Sequence, residues 1–302
     1  MRESNPNSLA LDPKAVFEEL KGYAARGDLH NLKEALETRW DLLEEFSDLS
    51  WFDGNMMDHF IRRNSLTGSN KTTVLQRVLN TAAKEGHANI ARHLLDRGYC
   101  VITPPAVRCA MGKESWDVLQ VYLDHGWNIN SSVEGGNTLP IIYFAVRSIA
   151  QVKWCLEHGA DPTIGNCKRN NDIPSHMGYY GTVEMVRALK EHGVDFTKSN
   201  ALQDAASSYI QGRIEVMAYL LDEAKVPINS KEYEYDPDLF EVWSPYRDST
   251  ALHRAARLKK LGNLKFLLER NADRSIKNGF GKTAADLARE AGFDEAIPLL
   301  TD

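Results

Sequence analysis

Two twelve-residue stretches, 34 residues apart, constrain this chain more than anything else in it. Gln151-Val-Lys-Trp-Cys-Leu-Glu-His-Gly-Ala-Asp-Pro162 and Met185-Val-Arg-Ala-Leu-Lys-Glu-His-Gly-Val-Asp-Phe196 each run an apolar helical pattern into His-Gly, then an apolar residue and Asp. A glycine after the last helical turn readily takes the left-handed conformation that ends a helix. The preceding histidine sits at the negative end of the helix dipole. The same stop, Asp124-His125-Gly126, lies 33 residues before Gly159, and Gly193 follows Gly159 by 34. A unit this short cannot bury its own apolar face, so copies must stack on one another.

Two further segments name the unit. Thr250-Ala-Leu-His253-Arg-Ala-Ala256 follows the pattern T-P-L-H-x-A except at its proline, and the run from Ala82 to Gly98 follows the second half of the same repeat. On these residues the chain resembles the ankyrin-repeat family over roughly residues 13 to 300, with two interruptions. The resemblance implies an all-α solenoid of about seven to eight helix pairs with protruding hairpins, used for binding. It does not say what is bound.

Composition narrows the partners. Lys and Arg number 36 against 42 Asp and Glu, a formal net charge of −6, which argues against a general affinity for nucleic acid. Nothing reads as a signal peptide or a bilayer-spanning run, so no membrane association is expected, and an intracellular location, cytoplasmic or nuclear, follows. Cys100, Cys109, Cys155 and Cys167 form no C-x-x-C pair and read as reduced thiols, most of them within or beside helices.

In chain order, residues 1–12 form a loose leader and 13–302 a single repeat domain with inserts at 42–72 and 230–248. Asp12-Pro13 opens the first helix pair, Lys14 to Ala25 and Leu29 to Thr38. The first insert carries Trp51, Phe52, Met56, Met57 and Phe60, with a helical candidate from Asp53 to Arg63 and a flexible Thr67 to Asn70. Repeats follow at about 74–102, 103–130, 138–161 and 172–195. The sixth begins at Asn200 and has extra residues, Ser207 to Gln211, between its helices; the seventh spans Thr250 to Asp273, and the eighth opens at Lys282.

In the inner-helix pattern the residue after His, and the pair after Ala-Ala, face away from the outer helix. Along the stack the first of these positions reads Thr81, Cys109, Ile142, His176, Asp204, Arg254. The pair reads Tyr179-Tyr180 in the fifth repeat and Ser207-Ser208 in the sixth. His176, Asp204 and Arg254 are thus neighbours in successive repeats, flanked by Tyr179, Tyr180 and Ser208, and they form the candidate binding patch. The second insert, with five aromatic residues among them Tyr235 and Trp243, leaves the stack beside this end and would arch over the patch. The alternative is that the three ionisable groups form a salt-bridge ladder between repeats.

No P-loop, H-E-x-x-H, G-x-S-x-G or metal-spaced Cys/His set is present. His125, His158 and His192 fall at helix stops and read as caps; His87 and His253 fall where the resembled family uses histidine structurally. No cofactor and no metal is expected. The leading expectation is a protein-interaction module that uses the concave face and hairpins to hold a protein partner. The alternative is a small-molecule or catalytic pocket on repeats five to seven, covered by the 230–248 loop. There His176 would act as general acid-base oriented by Asp204, with Arg254 or Tyr180 stabilising negative charge.

Overall fold

The computed structural model describes residues 13–39, 70–133, 139–164, 172–244 and 248–301. Among them every regular element is a helix. The chain divides into two compact units, Met1–Gly136 and Asn137–Asp302.

In the first unit α1 (Pro13–Arg26) and α2 (Leu29–Thr38) form a helix pair. They are followed by α3 (Asn70–Glu85) with α4 (Ala88–Asp96), and α5 (Pro104–Gly112) with α6 (Trp116–Asp124). The inner helices stack α1 on α3 on α5, and the outer α4 on α6. Small and branched side chains make this possible: Ala24, Ala82, Ala83, Ala106 and Ala110 are fully buried between helices, with Leu20, Val78, Leu79, Ile90 and Leu119 filling the space around them. Helix α3 begins at Asn70, inside the stretch expected to be an insert and a flexible linker. The remainder of that insert, including the Asp53 to Arg63 candidate, lies outside the described residues, as do the 1–12 leader and Cys167.

The second unit opens with a 3₁₀ helix, Ile141–Arg147, paired with α7 (Ile149–Glu157). Then come α8 (Ile173–Tyr180) with α9 (Val183–Glu191), and α10 (Ala201–Ser207) with α11 (Arg213–Asp222). Helix α12 (Pro237–Trp243) lies in the second insert, before α13 (Ala251–Arg257) with α14 (Leu261–Glu269) and the closing α15 (Ala284–Ala291) and α16 (Ile297–Thr301). Inner helices α8, α10, α13 and α15 pack in succession, as do outer helices α9, α11 and α14.

The recurring sequence signals each close a specific geometry. Gly126, Gly159 and Gly193 have φ of +80°, +84° and +89°. The histidine before each turns its Nδ1 back onto the carbonyl four residues earlier: His125 onto Val121 at 2.7 Å, His158 onto Trp154 at 2.7 Å, and His192 onto Ala188 at 2.8 Å. A carbonyl only accepts, so each Nδ1 carries the hydrogen and satisfies an orphan helix-end oxygen. Thr250 caps α13 reciprocally with His253, whose Nε2 donates to the Lys282 carbonyl at 3.1 Å in the next repeat. His87 similarly reaches the Ala25 carbonyl at 3.0 Å. These histidines are structural, as the sequence indicated.

The fourth repeat departs from the expected helix. Regular structure starts at Ile141, directly after Pro140, and its winding is 3₁₀, tighter than α, which changes which residues face outward. Ile142, expected on the concave face, is fully buried, and Tyr143 is partly exposed in its place.

Candidate functional site

Helices α8, α10 and α13 bring together most of the patch anticipated from the sequence. His176, Tyr179, Tyr180, Asp204 and Arg254 line one hollow with Ser175, and its volume is about 170 Å³. Helix α8 is held for this by both ends. Asp172 caps it, accepting from the Ser175 amide at 2.7 Å, and Arg213 closes its C-terminus. The buried guanidinium of Arg213 donates to the carbonyls of Gly178 (2.7 Å), Tyr179 (3.0 Å) and Gly181, placing a cation where the helix dipole is negative. Gly178 lets α8 approach the start of α10: a Cβ there would lie 2.4 Å from the Ala201 carbonyl oxygen.

Charge in the hollow is internally paired. Arg254 Nη2 donates to Asp204 Oδ1 at 3.2 Å and to Ser207 Oγ at 3.0 Å, and Nη1 lies 3.8 Å from Glu232 Oε1. Arg254 and Asp204 side chains are 11% and 10% exposed, and Glu232 only 1%. The salt-bridge ladder considered from the sequence therefore exists between α10 and α13, with a third member contributed by the insert. In so dry a setting, losing one partner costs far more than the intact cluster contributes.

His176 is not part of that ladder. Its ring stacks on Tyr143, with centroids 3.9 Å apart and planes 20° from parallel, and meets Tyr180 at 4.7 Å. Burial pushes its pKa down from 6.5 to about 4, so it is a neutral aromatic ring at physiological pH. Asp204 is bonded to Arg254 instead of orienting the imidazole. The proposed acid-base arrangement of His176 with Asp204 is therefore not formed.

The aromatic contacts continue past the hollow. Tyr180 meets Tyr179 at 4.6 Å, and Tyr179 meets Tyr209 edge-on at 5.9 Å. Lys260 Nζ lies 5.9 Å from the Tyr209 ring centre. Tyr143, His176, Tyr180, Tyr179 and Tyr209 thus form one string of rings across three repeats. Tyr180 and Tyr209 remain 41% and 69% exposed.

The other expected site residues lie elsewhere. Ser208 is buried, its hydroxyl donating to the Tyr179 carbonyl at 2.8 Å and accepting from the Ile210 amide, so it shapes the turn and does not line the hollow. Tyr235 and Trp243 pack within the insert around Tyr233, at 6.5 Å and 5.8 Å between ring centres. Neither lines the hollow, and among the described residues of the insert none does. Its stem is instead stitched down: the Tyr233 amide donates to Asn200 Oδ1 at 2.8 Å, Gln203 donates to the Ser230 carbonyl, and the Glu232 amide donates to Ser249.

Tyr143, Ser175, Tyr209 and Glu232 were missed. Tyr143 needed the 3₁₀ register, and Tyr209 sits in the extra residues between α10 and α11, where repeat alignment gives no position. Among the described residues no group of three or more His, Cys, Asp or Glu is placed to hold a metal ion, and no helix is long and apolar enough to cross a membrane.

Comparison with known proteins agrees with the repeat architecture. The family described as Ankyrin repeat matches residues 247–279, which contain α13 and α14. Alpha-latrotoxin-Lg1a of Latrodectus geometricus is 30% identical over 120 residues, 39% of this chain. The chain spans 8% of the length of that relative.

Proposed function

We propose that this ankyrin-repeat chain is a protein-interaction module whose docking surface is the inner-helix face of repeats four to seven. The observation that carries the proposal is the string Tyr143, His176, Tyr180, Tyr179 and Tyr209, with two of its tyrosines well exposed. Tyrosine gives large, rigid contact area with a polar tip and little rotamer entropy to lose, which is why it dominates interface hot spots. Behind the string, Arg213, Ser208 and the Arg254 cluster fix the backbone, so the surface is formed before anything binds.

The test is a photo-crosslinking amino acid placed at position 180, with position 214 on the exposed side of α11 as the control. Position 180 should capture a discrete protein that position 214 does not. With that partner purified, Tyr180→Ala combined with Tyr209→Ala should weaken binding at least about 10-fold. Ile214→Ala should leave it unchanged. Wild-type affinity in the tyrosine double variant, with its fold intact, would remove the surface from consideration.

A further inference from the structure

The charged lining of the hollow is a neutral pair, Asp204 with Arg254, so the sign of a guest's charge does not select it. The buried Arg213 behind Tyr179 is taken up by the carbonyls of Gly178, Tyr179 and Gly181. A cation or an anion settling against side chains this buried would lose water without meeting an unpaired opposite charge in the lining. What the lining does leave over is a donor. Arg254 Nη2 is used twice, on Asp204 and Ser207, but Nη1 makes no hydrogen bond among the described residues: Glu232 Oε1 stands 3.8 Å from it, beyond bonding distance. The buried Nε has no acceptor either. An uncharged acceptor would relieve this guanidinium at little desolvation cost of its own.

Size and shape narrow the acceptor. About 170 Å³ is small against the roughly 300–1,000 Å³ of sites that enclose whole ligands. It suits the end of a single side chain. The walls are the flat rings of His176, Tyr179 and Tyr180, and the polar part sets a donor, Arg254, beside an acceptor-only carboxylate, Asp204. A carboxamide carries the complementary set, a carbonyl oxygen beside an NH₂ in one uncharged plane. Resting on the docking surface proposed above, we infer that the hollow seats the carboxamide of an asparagine or glutamine side chain of the protein partner, its oxygen on Arg254 Nη1 and its faces against the rings. A lysine would bring donors alone and leave Nη1 without an acceptor. A carboxylate would bring an acceptor together with a second negative charge beside Asp204. An aliphatic chain would shut water away from Nη1 and replace it with nothing.

The probes are five capped peptides, acetyl-Gly-X-Gly-N-methylamide, with X glutamine, asparagine, glutamate, lysine or norleucine. They are titrated to millimolar concentration against the full 302-residue chain and followed by NMR of carbon-13-labelled tyrosine rings. The glutamine or the asparagine peptide should bind at least about 5-fold more tightly than each of the other three, shifting Tyr179 and Tyr180 and leaving the buried Tyr122 in place. Arg254→Lys keeps a cation beside Asp204 and gives up Nη1, and with its melting temperature checked it should bring the carboxamide peptides to within about 2-fold of norleucine. Tyr180→Leu, at an exposed position, retains the fold and should weaken the carboxamide peptides at least about 2-fold. Equal or tighter binding of glutamate, lysine or norleucine, no binding by either carboxamide peptide, shifts away from Tyr179 and Tyr180, or a carboxamide preference that survives Arg254→Lys would each overturn the assignment. If Arg254→Lys does not fold, the peptide series on the unaltered chain decides. Those outcomes are separable from failure of the docking surface itself, since crosslinking at position 180 reports a partner whatever the hollow accepts.

Discussion

Replacing Gly178 by alanine tests the closest approach in the second unit. Helix propensity alone favours the change by about 0.5–1 kcal/mol, because glycine in a helix interior loses more backbone entropy than alanine. The structure sets this against a contact that cannot be made. The new Cβ would stand 2.4 Å from the Ala201 carbonyl oxygen and 2.7 Å from its Cα, and both are backbone atoms. Ordinary contact is at about 3.5 Å, so α8 and α10 would have to separate by about 1 Å. That movement would also pull the Gly178 and Tyr179 carbonyls from Arg213, and Tyr179 from Ser208. Overpacking of this kind costs about 1–3 kcal/mol, leaving a net loss of about 1–2 kcal/mol after the propensity gain. For a unit of this size the melting temperature should fall by about 2–8 °C, measured by circular dichroism. Gly262, in the first turn of α14, is the internal control: a Cβ there meets nothing within 4 Å, so Gly262→Ala should hold or raise the melting temperature. An unchanged or higher melting temperature in Gly178→Ala would refute the close packing of α8 on α10.

Two more perturbations separate the supports of the site. Arg213→Leu removes the cation that closes α8 and leaves buried carbonyls without their donor, so urea denaturation should show a loss of about 2–4 kcal/mol; a loss below about 0.5 kcal/mol would deny the cap its role. His176 is held neutral by burial, with its pKa pushed from 6.5 down to about 4, so the folded state binds this proton less readily than the unfolded state. Its contribution is therefore complete above about pH 6.5 and is lost as pH falls towards 4, by up to about 3 kcal/mol. His176→Phe keeps an aromatic ring against Tyr143 and should flatten the fall in stability between pH 6.5 and 4. Parallel pH profiles for the two proteins would count against a buried neutral ring.

What could be read in advance followed the period of the repeat. Matching the inner-helix pattern from repeat to repeat places His176, Asp204 and Arg254 at equivalent turns of successive inner helices, and they do converge on one hollow. The 33- to 34-residue spacing locates the helix stops at His125, His158 and His192, because their job is set by the local backbone. What could not be read depends on breaks in the period. Tyr143 reaches the string where the winding is 3₁₀, whereas an α-helical count selects Ile142. Tyr209 and Arg213 lie at the irregular join between α10 and α11, where no repeat position exists to compare. Pairing was also illegible: the sequence sets Asp204 within reach of both His176 and Arg254, and only the packed geometry shows that the guanidinium takes it. In the insert, Glu232 is buried with its backbone tied to Ser249 and its carboxylate facing Arg254, and nothing in the run of acids around it sets it apart.

The capping histidines give this chain its own local thermometers. His158 and His192 each commit Nδ1–H to a carbonyl of the helix they terminate, so the tautomer is fixed by an intact last turn and Nε2 is the nitrogen left basic. When that turn frays, the constraint on the proton disappears and the ring samples both tautomers. Nitrogen-15 spectra of the imidazoles would then register the loosening of the fourth and fifth repeats separately, residue by residue, at temperatures where the helical signal of the whole chain has not yet moved.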